Sequence, residues 1–169
     1  MTIAAIGDVM LGWGMEDAIK KEVDPFESVR PVLVKADLAL ANLEGPLTSR
    51  GKRVRGKKFT FRVSPHRIEM LKDSGIDAFS LANNHIMDFG LTGLNDTIRI
   101  LDSAGIAYAG AGASLALARR PAMFQVNGLS IAMLAYNMTI PKSYWAGKKR
   151  AGTAYAEEDQ MVPDVRAAR

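Results

Sequence analysis

The sequence predicts an α/β protein in which short buried strands alternate with helices. Three apolar runs, residues 2–6, 37–43 and 77–82, have the length and composition of strands buried in a sheet. Segments with apolar residues at helical spacing separate these runs, and this alternation favours a mostly parallel sheet covered by helices. Polar side chains follow each run directly, so the sequence also predicts functional groups at one edge of the sheet.

Length and composition are those of one folded domain. The chain has 169 residues, of which 48% are hydrophobic and 24% charged, and these values exclude a disordered or collagen-like protein. There is no Cys, so any metal must be bound by carboxylate, imidazole, amide or water. No apolar run approaches the roughly 18 residues of a transmembrane helix. The first residues also lack the basic segment of a signal peptide.

The segments between the first strands carry helix signals. Asp24 and Pro25 are expected to cap and open a helix over residues 26–35. Another helix is expected to begin after Ser64 and to end at Gly75, because Ser favours the first cap position and Gly the last.

The remaining elements follow from local patterns. Residues 59–63 alternate apolar and polar side chains, which is typical of a half-buried edge strand. Helical spacing predicts a helix that ends at Gly105, followed by a fourth strand over residues 106–110. Two apolar arms around Asn-Gly at residues 127–128 predict a hairpin. A final helix is expected within residues 159–169.

The loop of residues 81–90 contains the densest group of reactive side chains. It connects a predicted strand to a predicted helix, where ligands bind in open α/β sheets. Asn84 offers an amide oxygen to a metal, His85 can ligate or transfer a proton, and Asp88 can orient the imidazole. The alternative is a loop whose Asn, Asp and Gly residues serve only turn geometry.

Two other strands also end in acidic or amide groups. Asp8 follows the first strand, and Asn42 and Glu44 follow the second. Asp8 could instead form an Asx turn or cap a helix. Three strands with the same ending favour a shared site over turn geometry.

Basic side chains are concentrated in residues 50–58, where nine residues hold six basic groups. The overall net charge is only +4, so this clustering indicates a local anionic partner rather than general nucleic-acid binding. The alternative is a solvated, exposed loop. The candidates for substrate binding are Asn42, Arg53, Arg55, Lys57 and Lys58.

Three ordered motifs resemble the bacterial CapA family of poly-gamma-glutamate capsule synthesis proteins. They are residues 7–12 (GDVMLG), 41–47 (ANLEGPL) and 81–90 (LANNHIMDFG), and later segments are similar too. The resemblance implies one CapA-like domain over residues 1–169. Because that family is related to calcineurin-like metallophosphoesterases, it also implies part of a sandwich of mixed β-sheets covered by helices, which we expect to be C-terminally incomplete.

The resemblance also implies roles for single residues. Asp8, Glu44 and Asn84 would bind a divalent metal (Mn, Fe, Zn or Mg), and His85 would be the proton donor beside them. Met10 stands where the phosphoesterase pattern has a metal-binding histidine, and the later histidine motifs of the family are not in this sequence. We therefore expect weaker metal binding than at a two-metal centre.

The implied function is capsule or poly-gamma-glutamate biosynthesis at the cell envelope. Its partners would be an anionic polymer and other capsule-synthesis proteins at the membrane. One hypothesis is a metal-dependent hydrolase-like site that acts on the polymer or on a phosphoester, with His85 protonating the leaving group. The other is a non-catalytic polymer-binding or assembly component that keeps the fold. A nucleotide-binding module is disfavoured, because the sequence has no complete phosphate-binding loop.

Overall fold

A four-stranded parallel sheet forms the centre of the computed structural model, which describes residues 1–169. Its strands are adjacent in chain order, and helices lie between them in the sequence. The α/β class predicted from the sequence is therefore confirmed. The strands are β1 (Ile3–Val9), β2 (Leu38–Leu43), β3 (Ala78–Ser80) and β4 (Ala107–Ala109).

Six α-helices accompany the sheet, and the longest of them, α4, has 15 residues. It ends where Gly105 adopts a left-handed φ of 69°, as the sequence predicted. None of the helices combines the length and the hydrophobicity that crossing a bilayer requires. The helices are α1 (Gly14–Lys20), α2 (Arg30–Leu33), α3 (Ile68–Lys72), α4 (Gly90–Ala104), α5 (Leu115–Ala118) and α6 (Glu158–Ala167).

Two small antiparallel ladders follow the parallel sheet. Strands β5 (Ala111–Gly112) and β8 (Gly152–Thr153) form one, and β6 (Ala122–Val126) and β7 (Leu129–Met133) form the predicted hairpin. Both residues of its turn, Asn127 and Gly128, have positive φ angles, as a two-residue turn of this hand requires.

One main apolar core of 21 buried residues joins the sheet to its helices. Phe79 of β3 and Leu43 of β2 have no exposed surface, and neither do Leu94 and Leu101 of α4. The spacing of the two leucines places them on the same face of α4, two turns apart. The core thus fixes α4 and the loop before it relative to the ends of the strands.

The expected burial of the first strand is wrong. Ile3 and Ile6 of β1 are exposed, and β1 lies at the edge of the sheet, where it pairs only with β2. The expected helix over residues 26–35 is reduced to α2. Pro31 has no N–H, so the hydrogen bond that would continue a helix from residue 27 cannot form.

The expected edge strand over residues 59–63 is also wrong. Only Val63 forms a strand-like bridge, to Leu47, and the Phe61 N–H is directed to the carboxylate of Asp88 at 2.6 Å. A side-chain acceptor therefore replaces a neighbouring strand. The short helix α1, which begins at Gly14, was not predicted from the sequence.

Candidate functional site

The carboxyl ends of β1 and β2 bring two of the predicted groups side by side. Asp8 lies opposite Asn42 in the parallel register, after an irregularity in β1 between Ala5 and Asp8. A regular continuation from the pairing of Ala5 with Leu40 would have set Asp8 opposite Leu43 instead. The bulge thus aligns a carboxylate with an amide.

The Asn42 amide joins the two acidic side chains. Its Nδ2 donates to Asp8 Oδ1 at 2.8 Å and to Glu44 Oε2 at 2.6 Å. Its oxygen accepts a hydrogen bond from Asn83 Nδ2 at 3.0 Å. The amide is therefore fixed on both sides, and it holds the two carboxylates in one cluster.

Asn83 is the residue of this site that sequence reasoning missed. It is buried, and Nδ2 also donates to the carbonyl of Leu43 at 2.8 Å. Its oxygen accepts from the backbone N–H groups of His85 and Ile86 at 3.0 and 2.8 Å. Asn83 thus folds the loop after β3 onto the end of β2. The neighbouring Asn84 is half-buried, and its carbonyl accepts from Lys57 Nζ.

His85 is held by its Nδ1 atom and turns Nε2 towards the acidic cluster. Nδ1 lies 2.7 Å from Asp88 Oδ2 and 3.2 Å from Lys57 Nζ, and the shorter contact with a carboxylate favours a proton on Nδ1. Nε2 lies 3.6 Å from Glu44 Oε1. The ring of Phe61 stacks on the imidazole with centroids 4.0 Å apart. The imidazole therefore has one fixed edge and one edge directed at Glu44.

Asp88 is fully buried and accepts from three donors. Besides His85, Lys57 Nζ contacts Oδ1 at 2.5 Å and the Phe61 N–H contacts Oδ2 at 2.6 Å. The lysine charge offsets that of the buried carboxylate, as burial of a charge requires. Asp88 therefore ties the loop of residues 81–90 to the basic loop.

Glu44 has a perturbed ionisation equilibrium. Burial raises the pKa of its carboxyl group, and the nearby charge of Asp8 raises it further. The hydrogen bond from Asn42 and the charges of His85 and Lys57 act in the opposite direction, yet the net shift is upward. Glu44 therefore holds a proton more readily than an exposed glutamate does.

The donors at this edge suit a divalent cation in kind but not in number. Two carboxylates and an imidazole nitrogen are ligands that Mn, Fe, Zn and Mg accept. However, no three His, Cys, Asp or Glu side chains converge in a group that could hold a metal ion, and Met10 adds no nitrogen donor. The side chains at the sheet edge therefore supply suitable ligand types without forming a metal-binding group of three.

The six basic side chains of residues 50–58 separate into two groups. Arg50 is paired with Asp96, and Lys57 with Asp88. The other four are exposed and have no acidic side chain within 4.0 Å. These four free charges, which we call the free basic group, are Lys52, Arg53, Arg55 and Lys58.

Comparison with known proteins relates the whole chain to capsule synthesis. Residues 2–169 match the model of the family described as bacterial capsule synthesis protein PGA_cap. The PGA biosynthesis protein CapA of Bacillus subtilis is 28% identical over 169 residues, which are 98% of this chain and 44% of that protein. The capsule biosynthesis protein CapA of Bacillus anthracis is 25% identical over 170 residues, 98% of this chain and 41% of the relative.

A mycobacterial relative has a higher identity over a shorter stretch. A probable polyglutamine synthesis accessory protein of Mycobacterium tuberculosis is 37% identical over 157 residues, 88% of this chain and 41% of the relative. The chain therefore spans less than half the length of these curated relatives.

Proposed function

Because the chain belongs to the PGA_cap family of bacterial capsule synthesis proteins, we propose that it contributes a hydrolase-like site that acts on poly-gamma-glutamate or a related anionic polymer. The observation that carries the proposal is the position of His85. Its imidazole is held by Asp88, faces Glu44 and lies beside a loop with four free basic side chains. An anionic chain attracted by that loop would come within reach of a proton-transferring group.

The acid–base chemistry would be carried by three side chains. Water would add at the scissile bond and displace the leaving group, to which protonated His85 would donate its Nε2 proton, since Asp88 occupies the other ring nitrogen. Asp88 would stabilise the imidazolium and keep its orientation, as the acidic member of a catalytic triad does. Glu44, whose pKa is raised by burial, would exchange a proton with Nε2.

A divalent metal belongs to this proposal as a weakly bound partner of Asp8, Glu44 and Asn84. When bound, it would supply polarisation of the scissile bond. His85, Asp88 and the free basic group are not among the residues that would bind it, whereas Glu44 would serve both the metal and the proton transfer. We also infer that the parallel sheet is one layer of a metallophosphatase-like sandwich, because its site lies at the carboxyl ends of the strands, as expected for that layout.

The proposed function also implies a cellular location and partner proteins. The polymer would be met at the cell envelope, together with other capsule-synthesis proteins. The support is the family membership and the names of the relatives, which refer to PGA and capsule biosynthesis.

A second candidate function is polymer binding without turnover. It is favoured by the small number of metal donors at the sheet edge and by Met10 in place of a histidine. In that case the cluster around Asn42 and the free basic group would hold the polymer for other components of the machinery.

One experiment separates the two functions. The chain is incubated with poly-gamma-glutamate in the presence of Mn, Mg, Zn or EDTA, and both binding and polymer length are measured. The test variant is His85→Gln, and the matched control is His66→Gln, which changes an exposed histidine in a short helical turn after Ser64. Shortening of the polymer that only His85→Gln abolishes supports the hydrolase-like site.

The other outcomes are equally informative. Binding without shortening, in the wild type and both variants, supports the second candidate. Absence of binding to any anionic polymer contradicts the proposed function in both forms. A calorimetric titration with each metal, without polymer, is expected to show dissociation constants no tighter than about 0.1 mM, as for weak all-oxygen sites.

A further inference from the structure

Two large aromatic side chains that are exposed to solvent connect to His85 through Phe61. Trp13 is 66% exposed and Phe59 is 49% exposed, although residues of this size usually bury most of their surface. The Trp13 ring centroid lies 6.3 Å from that of Phe59 and 5.9 Å from that of Phe61. Phe61 in turn stacks on His85. We call Trp13, Phe59 and Phe61 the aromatic shelf, and it runs without a break from the imidazole to the solvent.

The backbone of Trp13 is strained. Its φ of 53° and ψ of −127° are those of the first central residue of a type II′ turn, and the turn is closed by a 3.2 Å bond from Met15 N–H to the Gly12 carbonyl. Glycine is the usual residue at that position, because a side chain there is crowded. A bulky ring that is both strained and exposed lowers stability without gaining burial. Strain of this kind is found mostly at functional sites.

The turn is also fixed in position. A Cβ atom on Gly12 would lie 2.2 Å from the carbonyl oxygen of Arg62, so the backbone before Trp13 packs directly on the segment that carries the other two rings. Only glycine permits this approach. The shelf is therefore assembled before any ligand arrives, and binding on it would not have to order the rings.

Positive charges line the rim of the shelf. Lys58 Nζ lies 5.2 Å from the centroid of the Phe59 ring, and Arg53 donates to the Lys58 carbonyl at 3.4 Å. Both side chains are exposed members of the free basic group. A ligand on this surface would thus meet apolar ring faces with cations beside them.

We propose that the aromatic shelf is a binding subsite for the backbone of a γ-linked glutamate chain. Each unit of such a chain contributes methylene groups and an amide plane, which can lie on an aromatic face, and a carboxylate, which can reach a cation. Trp13 and Phe59 would bind the polymer backbone, and Lys58 and Arg53 would bind the carboxylates. The inference rests on the proposed function and adds to it the residues that hold the segment beyond the one at His85.

The test compares the affinity for γ-linked glutamate oligomers among four forms of the full chain: wild type, Trp13→Gly, Phe59→Ala and Met123→Ala. Met123→Ala is the matched control, because it removes a similarly exposed apolar side chain from the β6–β7 hairpin. We expect Trp13→Gly and Phe59→Ala each to weaken binding by about tenfold, as loss of a ring contact would, and the control to bind normally.

Stability and fluorescence complete the test. Because glycine relieves the backbone strain, the melting temperature of Trp13→Gly should stay unchanged or rise while affinity falls. Trp13 and Trp145 are the two tryptophans of the chain, and Trp145 is half-buried against Tyr155. Oligomer binding should therefore shield mainly Trp13 from a soluble quencher, and the Trp145→Phe variant should keep the effect.

Three outcomes would overturn the subsite. If Trp13→Gly and Phe59→Ala bind oligomers as tightly as the wild type does, the shelf is not used, although the proposed function stands. If the wild type binds no γ-linked glutamate oligomer, the subsite is wrong, and if it also binds no longer anionic polymer, the proposed function is wrong as well. If a single-stranded oligonucleotide binds more tightly and with the same dependence on Trp13, the rings serve base stacking instead.

Discussion

At the scale of single residues, Asp88 determines how His85 is presented. The carboxylate is completely buried and receives hydrogen bonds from the imidazole, from Lys57 and from the Phe61 N–H. A buried acceptor with three donors cannot be removed without leaving those donors unpaired. The same contacts join the loop of residues 81–90 to the basic loop. Asp88 therefore positions both His85 and the segment that carries the positive charges.

Replacing Asp88 by alanine should therefore destabilise the fold. We expect Asp88→Ala to lower the free energy of unfolding by about 3 kcal/mol, because it leaves the Lys57 charge and two N–H donors without their partner. Urea denaturation measures the effect. Asp17→Ala is the control, since the side chain of Asp17 is 83% exposed and its ion pair with Lys20 lies on the surface. Equal stability of the two variants would contradict the role given to Asp88.

Glu44 gives a prediction for pH dependence. Its folded-state pKa lies above its ordinary value of 4.5, so the ionised form is disfavoured by folding. The contribution of the group to stability is fully present below pH 4.5 and is lost as the pH rises through the raised pKa. Glu44→Gln should therefore be as stable as the wild type near about pH 4 and more stable near about pH 7.

Unfolding by urea at the two pH values tests this prediction. The control is Glu27→Gln, which changes an exposed glutamate and should have no effect at either pH. A loss of stability of Glu44→Gln at neutral pH would show that the ionised carboxylate is stabilised by its neighbours instead of being penalised by burial.

Some residues at the sheet edge could be assigned to the site from the sequence, and others could not. Asp8, Asn42 and Glu44 could be grouped because each follows an apolar run, and parallel strands bring such positions together. The sequence could not show which of the adjacent residues Asn83 and Asn84 contacts the end of β2. That depends on the direction in which the loop turns, and the local sequence does not determine it. The ion pair of Lys57 with Asp88, 31 residues away, follows from tertiary folding and has no local signal.

At the scale of elements, helix α4 anchors the start of the basic loop. Arg50 donates to both carboxylate oxygens of Asp96, at 2.5 and 3.1 Å, and Thr48 Oγ1 donates to Oδ2 at 2.6 Å. The Arg50 hydrogen bond is the main cause that lowers the pKa of Asp96 from 3.8 to about 2, with help from Thr48. The free basic group therefore extends from a fixed point on α4.

This anchor predicts an acid-sensitive part of the stability. Because the folded pKa of Asp96 is depressed, its contribution is present above pH 3.8 and is lost as the pH falls towards 2. The difference, 3.8 − 2, corresponds to about 2 kcal/mol. Asp96→Asn should be less stable than the wild type by about that amount at neutral pH, and the difference should disappear in acid.

Acid titration of the unfolding midpoint measures this effect, with the exposed Asp17→Asn as control. A wild type and an Asp96→Asn variant that lose stability in parallel between about pH 4 and pH 2 would contradict the anchor. The result would then assign the acid sensitivity to other carboxylates.

The elements themselves were predictable where local signals and tertiary structure agree. Helix α4 has a periodic apolar face and a glycine at its end, and the β6–β7 hairpin has an Asn-Gly turn. Residues 59–63 have the pattern of a strand, but Asp88 takes up the N–H of Phe61. Such a long-range competitor is invisible in a local pattern. The sheet edge at β1 was likewise missed, because strand order decides which strand is exposed.

At the scale of the whole molecule, the free basic group is a local concentration of positive charge on a chain whose formal net charge is +4. Basic side chains are exposed elsewhere too, for example Lys148, Lys149 and Arg150. The other basic side chains of the loop are neutralised by Asp88 and Asp96. The local field of the free basic group therefore attracts anions to this loop, and salt should weaken that attraction over about 10 Å at 0.1 M.

The central claim is that this chain binds an anionic polymer through the loop beside His85. Its most direct test is the affinity for poly-gamma-glutamate as a function of salt, measured for the wild type and two variants. One variant replaces the free basic group by glutamine. The matched control replaces four exposed lysines elsewhere by glutamine, so that both variants have the same net charge of zero. These control positions are Lys21, Lys35, Lys148 and Lys149.

We expect the affinity of the wild type to fall steeply as salt is added, because the contacts are between exposed, screened charges. At low salt the loop variant should bind at least about tenfold more weakly and with little salt dependence, whereas the control variant should lose much less. Equal affinity of the loop variant and the wild type at low salt, or an equal loss in both variants, would contradict the claim.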